Sequence, residues 1–257
     1  MELGASDAVT KPSSTEPDYV RRRGELPFGL SHRDEYTNYF AWQAGLFKQH
    51  LRGRVLDHGA GTGSLSSALL NAGARTLVVV EPDPELVAIL RQRFDGQSNV
   101  EIVPGTLDAH LGRVGPEAVD CIVSANVLEH IEDDRACLAT MRDLLRPNGA
   151  LCLYVPARPE LYGTLDRAVG HHRRYTRPEL TEKLLGAGFD VKRAEYRNLV
   201  GVLPWLVAGR IMKKQSVGRT SIRLVDRVVV PLCCSLENVL TPPYGLNLVT
   251  VAVRRTA

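Results

Sequence analysis

Short apolar stretches alternate with longer amphipathic stretches along most of the chain. The apolar stretches are rich in valine, isoleucine and leucine and end in turn-forming residues, as strands do, whereas the stretches between them have helical spacing. This alternation predicts an α/β fold with a seven-stranded, mostly parallel sheet and helices on both faces. The predicted strands lie within 54–63, 76–82, 99–105, 120–130, 150–157, 189–197 and 246–254. The predicted helices lie within 34–51, 64–73, 84–94, 133–145 and 176–188.

Two segments depart from this alternation. Residues 1–30 are rich in serine, proline and charged residues without a sustained apolar period, so we expect a mobile tail before a single domain at 31–257. Residues 198–245 separate the last two predicted strands and contain two amphipathic apolar blocks around a basic hinge, which predicts a helical insertion. Because strand six should be parallel to the others, the insertion should leave the sheet at the ligand-binding edge.

The second block of this insertion, which includes Val228, Val229 and Val230, is too apolar to be left in water. Three interpretations fit it: a roof over an acceptor pocket, a homodimer interface, or a surface that contacts a membrane. We favour the roof, and we expect it to bring Trp205 to the acceptor.

Composition narrows the class of protein. The chain has 257 residues, 44% of them hydrophobic, and a net charge of +3, which is ordinary for a globular enzyme and too small to indicate nucleic-acid binding. The five cysteines form no CxxC pair or zinc-like spacing, and no secretory signal is apparent, so we expect a reducing cytoplasm. The longest nearly apolar stretch, 199–209, is too short to span a bilayer.

A glycine-rich turn follows the first predicted strand. The sequence from Asp57 to Gly63 reads DHGAGTG, and Glu81 stands at the end of the second strand, where an acid can hold ribose hydroxyls. The third glycine comes one position too early for the G-x-G-x-x-G dinucleotide pattern. Asp57 would repel a pyrophosphate but suits a ligand with ammonium and sulfonium groups.

At this point the chain resembles the class I S-adenosylmethionine-dependent methyltransferases, which have a Rossmann-like fold. The matching segments are VLDHGAGTG, VVEPDP, DCIVSANVLEHIEDD and LLRPNGALCLYVP, in the order and spacing of that family. The resemblance implies S-adenosylmethionine as cofactor. It implies that the glycine turn holds the methionine part, that Glu81 holds the ribose, and that Pro82 flanks the adenine. The cofactor-binding residues implied in this way are Asp57, Gly59, Ala60, Gly61, Gly63, Glu81, Pro82, Thr106, Leu107, Asn126 and Val127.

One departure from the family concerns the adenine. The family often has an acid directly after the glycine of strand three, whereas here Thr106 and Leu107 occupy that place and Asp108 comes later. An adenine contact from the backbone is therefore an alternative.

The stretch GHHRRYT, at 170–176, lies in the loop after strand five and directly before a predicted helix. Since that loop joins the carboxyl end of a strand to a helix N-terminus, all of it should lie at the ligand edge. The pattern resembles a methyltransferase subgroup associated with glycolipid and natural-product pathways, so secondary metabolism is one expectation. The candidate catalytic residues are His171, His172, Arg174 and Tyr175. Pure loop architecture is the alternative, with Asp166 pairing an arginine.

The predicted function is methyl transfer to a small-molecule or lipid-linked acceptor through an oxygen, nitrogen or carbon nucleophile. Histidine titrates near the working pH, which favours His171 as a base or orienting group. Tyr36, Tyr39, Trp205 and His130 are the candidate acceptor-binding residues. The end of strand four lacks a carboxylate cluster for Mg²⁺, so we expect no metal. The alternatives are a non-catalytic cofactor-binding scaffold and, disfavoured by the glycine spacing, a nicotinamide-dependent oxidoreductase.

Overall fold

A computed structural model describes residues 36–213, 223 and 225–256, so the predicted tail at 1–30 lies outside the described residues. The strands are β1 (Arg54–His58), β2 (Thr76–Glu81), β3 (Val100–Pro104), β4 (Val119–Ala125), β5 (Leu145–Pro156), β6 (Phe189–Arg197) and β7 (Asn247–Arg254). The helices are α1 (Thr37–Phe47), α2 (Ser64–Ala72), α3 (Pro84–Arg93), α4 (Leu107–Val114), α5 (Asp134–Leu144), α6 (Thr164–Val169), α7 (Arg177–Gly186), α8 (Val202–Leu206) and α9 (Val230–Val239).

The seven strands form one sheet in the order β3-β2-β1-β4-β5-β7-β6. Strand β7 is antiparallel to both β5 and β6, and the other pairs are parallel. The predicted Rossmann-like, mostly parallel sheet is therefore confirmed. Strand order reverses between β1 and β4, which is where open α/β sheets bind ligands.

Helices cover both faces of the sheet because alternate strand residues point to opposite faces. In β1, Leu56 belongs to the core on one face, together with Val78 of β2. Its neighbour Val55 belongs to the core on the other face, together with Leu77. Burial on both faces explains why these strands read as continuous apolar runs.

Side-chain caps mark the N-termini of three helices at the ligand edge of the sheet, α3, α4 and α7. The Asp83 carboxylate accepts hydrogen bonds from the amides of Glu85 and Leu86 at the start of α3. Thr106 and Thr176 cap α4 and α7 in the same way. Each cap stands directly after the loop that leaves the carboxyl end of a strand, so the caps fix where those loops end.

Most of the described part of the insertion is helical, as predicted. It contains α8, a π-helical turn at Val207–Ile211, a second π-helical turn at Val225–Val229, and α9. Because β5 and β6 are both antiparallel to β7, β6 is parallel to the other strands and ends at the ligand edge. Among the described residues, no helix combines the length and the apolar character needed to cross a membrane.

Candidate functional site

The loop between β1 and α2 depends on glycines with left-handed backbone. Gly59, Gly61 and Gly63 have φ values of 68°, 60° and 82°. A Cβ on Gly59 would lie 2.7 Å from a methyl group of Val127, so a side chain does not fit where this loop meets the loop after β4. Gly63 is likewise closed in, since its Cβ would lie 2.8 Å from Leu90. Both positions therefore need glycine, and the turn presents main chain rather than side chains, which lets a ligand approach the backbone closely.

Glu81 lies at the end of β2 and joins this turn to the next loop. Its fully buried carboxylate accepts hydrogen bonds from Gly61 N at 2.8 Å and from Asp83 N at 3.1 Å. An ionised carboxylate is an acceptor only, with about four lone-pair sites on its two oxygens. The structure places Glu81 beside the glycine turn, and its role toward a ribose stays a prediction.

Asp57 is the second carboxylate at this edge and is 1% exposed. Its Oδ2 accepts a hydrogen bond of 2.6 Å from Ser66 Oγ in the first turn of α2. The next residue, His58, is also buried, and its Nδ1 lies 3.1 Å from Ser124 Oγ of β4. Burial lowers the pKa of His58 to about 4, so this histidine is neutral at physiological pH. His58 therefore adds no positive charge beside the two acids at the turn, Asp57 and Glu81.

The other predicted cofactor residues line the same edge or support it. Asn126 has a φ of 56° and donates its amide to Tyr154 O, directly after β4. Thr106 caps α4, whereas Leu107 is fully buried in the core, so any cofactor contact from Leu107 comes from its main chain. Asp108 accepts a hydrogen bond of 2.6 Å from Thr140 Oγ1, which engages it with α5. Ala60 is buried in the glycine turn, and Pro82 lies between Glu81 and Asp83.

This donor set fits S-adenosylmethionine. Two carboxylates, Asp57 and Glu81, flank the glycine turn at the strand-order reversal. An anionic set of this kind attracts an ammonium and a sulfonium and accepts hydrogen bonds from hydroxyl groups, but it would repel a pyrophosphate. The residues therefore suit that cofactor better than a dinucleotide.

The loop after β5 folds back on its own start. It contains a 3-10 turn at Pro159–Leu161 and the short helix α6, which ends at Gly170 in the left-handed conformation. Tyr175 N donates to Pro156 O and Arg158 N donates to Tyr175 O, which closes the loop. The whole segment from 157 to 176, called the acceptor loop below, thus stays at the carboxyl edge of the sheet, as its connectivity predicts.

Asp166 is the centre of the acceptor loop. Its fully buried carboxylate accepts hydrogen bonds from Gly163 N at 2.9 Å, His171 Nδ1 at 2.9 Å and Arg174 Nε at 2.8 Å. Burial opposes ionisation, but the hydrogen bond from His171 and the charge of Arg174 outweigh it and hold the pKa of Asp166 below its usual value. An ionised Asp166 favours a proton on Nδ1 of His171.

The Nε2 side of His171 faces two residues from the end of β4. Nε2 lies 3.6 Å from Glu129 Oε1, and the rings of His130 and His171 pack edge to face with centroids 4.8 Å apart. His130 Nδ1 lies 3.2 Å from Gly170 O. Glu129 was not among the predicted site residues, although a glutamate directly before His130 was the available signal. The side chains of Glu129, His130 and His171 therefore meet although they come from two different loops. His130 and Gly170, which are in contact, are 40 positions apart in the sequence.

The other two candidates around His171 differ from it. His172 is exposed, and its main-chain amide donates to Glu129 O. Arg174 is buried, donates to Ala157 O as well as to Asp166, and has its guanidinium carbon 4.9 Å from the centre of the Trp205 ring. Arg174 therefore fixes the loop, which is the architectural role that the sequence left open.

Tyr175 is a core residue, which corrects its prediction as a catalytic or pocket-lining group. Its ring is fully buried, and its hydroxyl donates to Asp134 Oδ2 at 2.9 Å and lies 3.3 Å from Leu128 O. Lys183 Nζ also binds Asp134 Oδ2, at 2.6 Å. Burial raises the pKa of Tyr175 well above its usual value, so the phenol stays protonated as a donor. The side chain thus points between α5 and α7 and cannot reach an acceptor.

The remaining acceptor candidates come from α1 and from the insertion. Tyr39 packs on the end of β5, where its hydroxyl lies 3.0 Å from the hydroxyl of Tyr154, and Tyr36 packs on Tyr39. Trp205 lies over Arg174, and Thr164 Oγ1 donates to Gly209 O at 2.8 Å. The insertion therefore packs directly on the acceptor loop.

A concave surface with a volume of about 460 Å³ lies at the opposite edge of the sheet. It is lined by Arg52, Asp120, Arg146 and other residues near the amino ends of β1 and β4. Because open parallel sheets bind ligands at the carboxyl ends of their strands, we place the functional site at the edge described above.

The fold and this edge define a class I S-adenosylmethionine-dependent methyltransferase. The Methyltransferase domain family matches residues 32–194, which is more than half of the chain, and the chain belongs to this family. Its cofactor is S-adenosylmethionine, as the sequence predicts.

Named relatives and solved structures agree with this class. The chain is 27% identical over 182 residues to the ubiquinone biosynthesis O-methyltransferase of Xanthomonas euvesicatoria, covering 64% of this chain and 72% of that protein. It is 31% identical over 188 residues to a probable S-adenosylmethionine-dependent methyltransferase of Mycolicibacterium smegmatis, covering 71% and 64%. An S-adenosylmethionine-dependent methyltransferase from Mesorhizobium loti shares the fold, with a TM-score of 0.57 and 15% identity over 86% of this chain and all of that one.

Proposed function

We propose that this methyltransferase acts on a hydroxyl group of a small or lipid-linked acceptor, without a metal ion, and that His171 is its general base. The observation that carries the proposal is the hydrogen bond of 2.9 Å between His171 Nδ1 and Asp166 Oδ1. That bond orients the ring and leaves Nε2 as the proton-accepting atom. The His171 side chain is held in place at the ligand edge and is 10% exposed.

When bound, S-adenosylmethionine supplies a methyl group on a cationic sulfur, and the acceptor oxygen replaces that sulfur. His171 takes the proton of the acceptor hydroxyl at Nε2. The carboxylates of Asp166 and Glu129 lie on the two sides of the ring and stabilise the imidazolium that forms. The rest of the chain contributes alignment of the acceptor, which is an entropic effect.

The choice of a hydroxyl acceptor rests on this base and on one relative. A neutral hydroxyl needs to lose its proton, whereas a neutral amine is a nucleophile without prior deprotonation. The relative from Xanthomonas euvesicatoria is named as an O-methyltransferase of ubiquinone biosynthesis, which supports an oxygen acceptor. Trp205 and the other apolar side chains of the insertion support an acceptor with an apolar part.

Metal independence is part of the proposal. Ligand atoms of Glu129, His130 and His171 lie within 4.8 Å of one another. Zinc holds its ligands at about 2.0–2.2 Å, and this group is our candidate for proton transfer rather than for coordination. A chelator separates the two roles.

The test is product analysis with cofactor that carries a deuterated methyl group. The full-length protein is incubated with panels of phenols, prenylated phenols and amines, with and without a chelator, and labelled products are located by mass spectrometry. We expect O-methylated products at a rate that the chelator leaves unchanged. Exclusive N-methylation would overturn the hydroxyl assignment, and a chelator-sensitive rate that added zinc or magnesium restores would overturn metal independence.

A further inference from the structure

The second helical half of the insertion buries its two acidic side chains and exposes several large apolar ones. Its buried side contains Asp226, Val230, Cys233 and Glu237, at helical spacing. Its outer side carries large apolar side chains at the same spacing, with exposed fractions that reach 66% at Leu232 and 83% at Val239. We call this outer side the apolar stripe; it comprises Val225, Val228, Leu232, Leu236 and Val239.

The two acidic residues of this helix face inward because they bind main-chain amides. Asp226 accepts hydrogen bonds from the amides of Asn38 and Tyr39 at 3.1 and 2.9 Å. Glu237 accepts hydrogen bonds from the amides of Asn198 and Leu199 at 3.1 and 2.9 Å. These bonds fix the rotation of the helix, so the apolar stripe is held outward by the fold.

Exposed apolar surface is concentrated in the insertion. All the large hydrophobic side chains that are exposed among the described residues lie between 199 and 240, except Val114 and Leu185. The first half of the insertion contributes Leu203 and Ile211, which are 67% and 69% exposed. Patches of this kind mark interaction surfaces in soluble proteins.

The charge of the insertion distinguishes between two kinds of partner, a second copy of the chain and an anionic lipid surface. Residues 198–245 contain six arginine and lysine residues and two acidic residues, and both acids are buried. Of the basic residues that the structure describes, Arg210, Lys213, Arg223 and Arg227 are exposed. The outer surface is thus apolar and cationic. A symmetric contact between two copies would bring these like charges together, whereas an anionic lipid surface attracts them.

We propose that the exposed residues of the insertion that the structure describes form a docking surface for an anionic phospholipid bilayer, with the apolar stripe in the interfacial region and Arg210, Lys213, Arg223 and Arg227 at the headgroups. Helices that lie in a bilayer interface combine these two features. The first half of the insertion contacts the acceptor loop through Trp205 and Gly209. Docking would therefore place the site next to the membrane. From there it could reach a lipid-linked acceptor, and this step of the inference rests on the proposed function.

The test is co-sedimentation of the full-length protein with vesicles of phosphatidylcholine alone or of phosphatidylcholine mixed with phosphatidylglycerol. We expect binding to the mixed vesicles, with a strong decrease near 1 M salt, where the Debye length is about 3 Å. Lys213→Ala with Arg227→Ala should weaken binding about fivefold per charge. Leu232→Ser with Leu236→Ser should weaken it about tenfold per side chain.

The matched control is Leu185→Ser, since Leu185 is 43% exposed but lies on α7, outside the insertion. It should bind vesicles as the wild type does. Binding that ignores phosphatidylglycerol, or that the Leu232 and Leu236 changes leave intact, would overturn the proposal. So would a stable dimer, detected by light scattering, that those two changes dissociate. Titration with S-adenosylhomocysteine on the same preparations measures binding at the cofactor site. The result for vesicle binding can then be judged separately from the proposed function.

Discussion

His171 and Asp166 are joined by a hydrogen bond of 2.9 Å between Nδ1 and Oδ1, within a loop that Arg174 closes through the same carboxylate oxygen. The bond orients the ring of His171 and favours a proton on Nδ1. It also makes His171 the member of the GHHRRYT stretch whose position most resembles that of a base.

His171→Ala should lower kcat by about 10²–10⁴-fold, the usual contribution of a general base, while S-adenosylhomocysteine binds as before. His172→Ala is the matched control because His172 is the exposed neighbour and its contact with Glu129 uses the main chain. Single-turnover rates, cofactor affinity and Tm are measured on one preparation of each variant. Wild-type turnover in both variants would refute a catalytic role for this loop.

Trp205→Ala should raise the acceptor KM or lower kcat and leave the affinity for S-adenosylhomocysteine within a few fold. The reason is that Trp205 packs on Arg174 of the acceptor loop rather than on the glycine turn. Steady-state kinetics and titration calorimetry check it. A collapse of cofactor affinity would instead make the insertion an integral part of the cofactor site.

Tyr175→Phe should destabilise the fold by about 1.5–3 kcal/mol, because the buried carboxylate of Asp134 loses a donor. Turnover per folded molecule should stay near the wild-type value. The control is Tyr244→Phe, whose hydroxyl meets the exposed side chain of Glu160, and which should cost less than about 0.5 kcal/mol. Denaturant unfolding measures both. A large loss of kcat with an unchanged free energy of unfolding would restore Tyr175 to the site.

Stability should fall with acid through Asp134. Burial opposes its ionisation, but the hydrogen bond and charge of Lys183 prevail, so the pKa of Asp134 is below its usual value. Its contribution is present above the unfolded pKa of about 3.9 and is lost as the pH falls through the folded pKa. Asp134→Asn should therefore lower Tm at neutral pH and flatten the decrease of Tm below about pH 4. Parallel Tm curves for variant and wild type would contradict this assignment.

Asp226→Ala should loosen α1, because Asp226 accepts from the amides of Asn38 and Tyr39 in the first turn of that helix. We expect a loss of about 0.5–2 kcal/mol, the usual range for a helix N-cap. Hydrogen exchange should accelerate at the first amides of α1. In the control Asp83→Ala, which removes a local cap, exchange should accelerate in α3 instead. Unchanged exchange in α1 would show that the cap contributes nothing.

The sequence by itself determined the order of the seven strands along the chain and the edge of the sheet at which the ligand-binding loops lie. The helices at Leu107–Val114 and Thr164–Val169 were not predicted. Periods of two and of about 3.6 residues are local, and so are glycine turns and helix caps, which is why β1, the turn at Gly59–Gly63 and the cap at Thr176 could be predicted. The acceptor loop followed from connectivity, since a loop between a parallel strand and its helix stays on one edge. The family resemblance then supplied the cofactor, which the comparisons confirm.

Only the tertiary structure decided what the side chains of that loop contact. Tyr175 meets Asp134 across 41 positions of sequence, and Asp226 caps a helix 187 positions away. The sequence pattern of GHHRRYT is the same whether Tyr175 points into a pocket or into the core. The choice depends on which buried polar groups need partners, and that is settled by the packing of α5, α7 and the insertion around them.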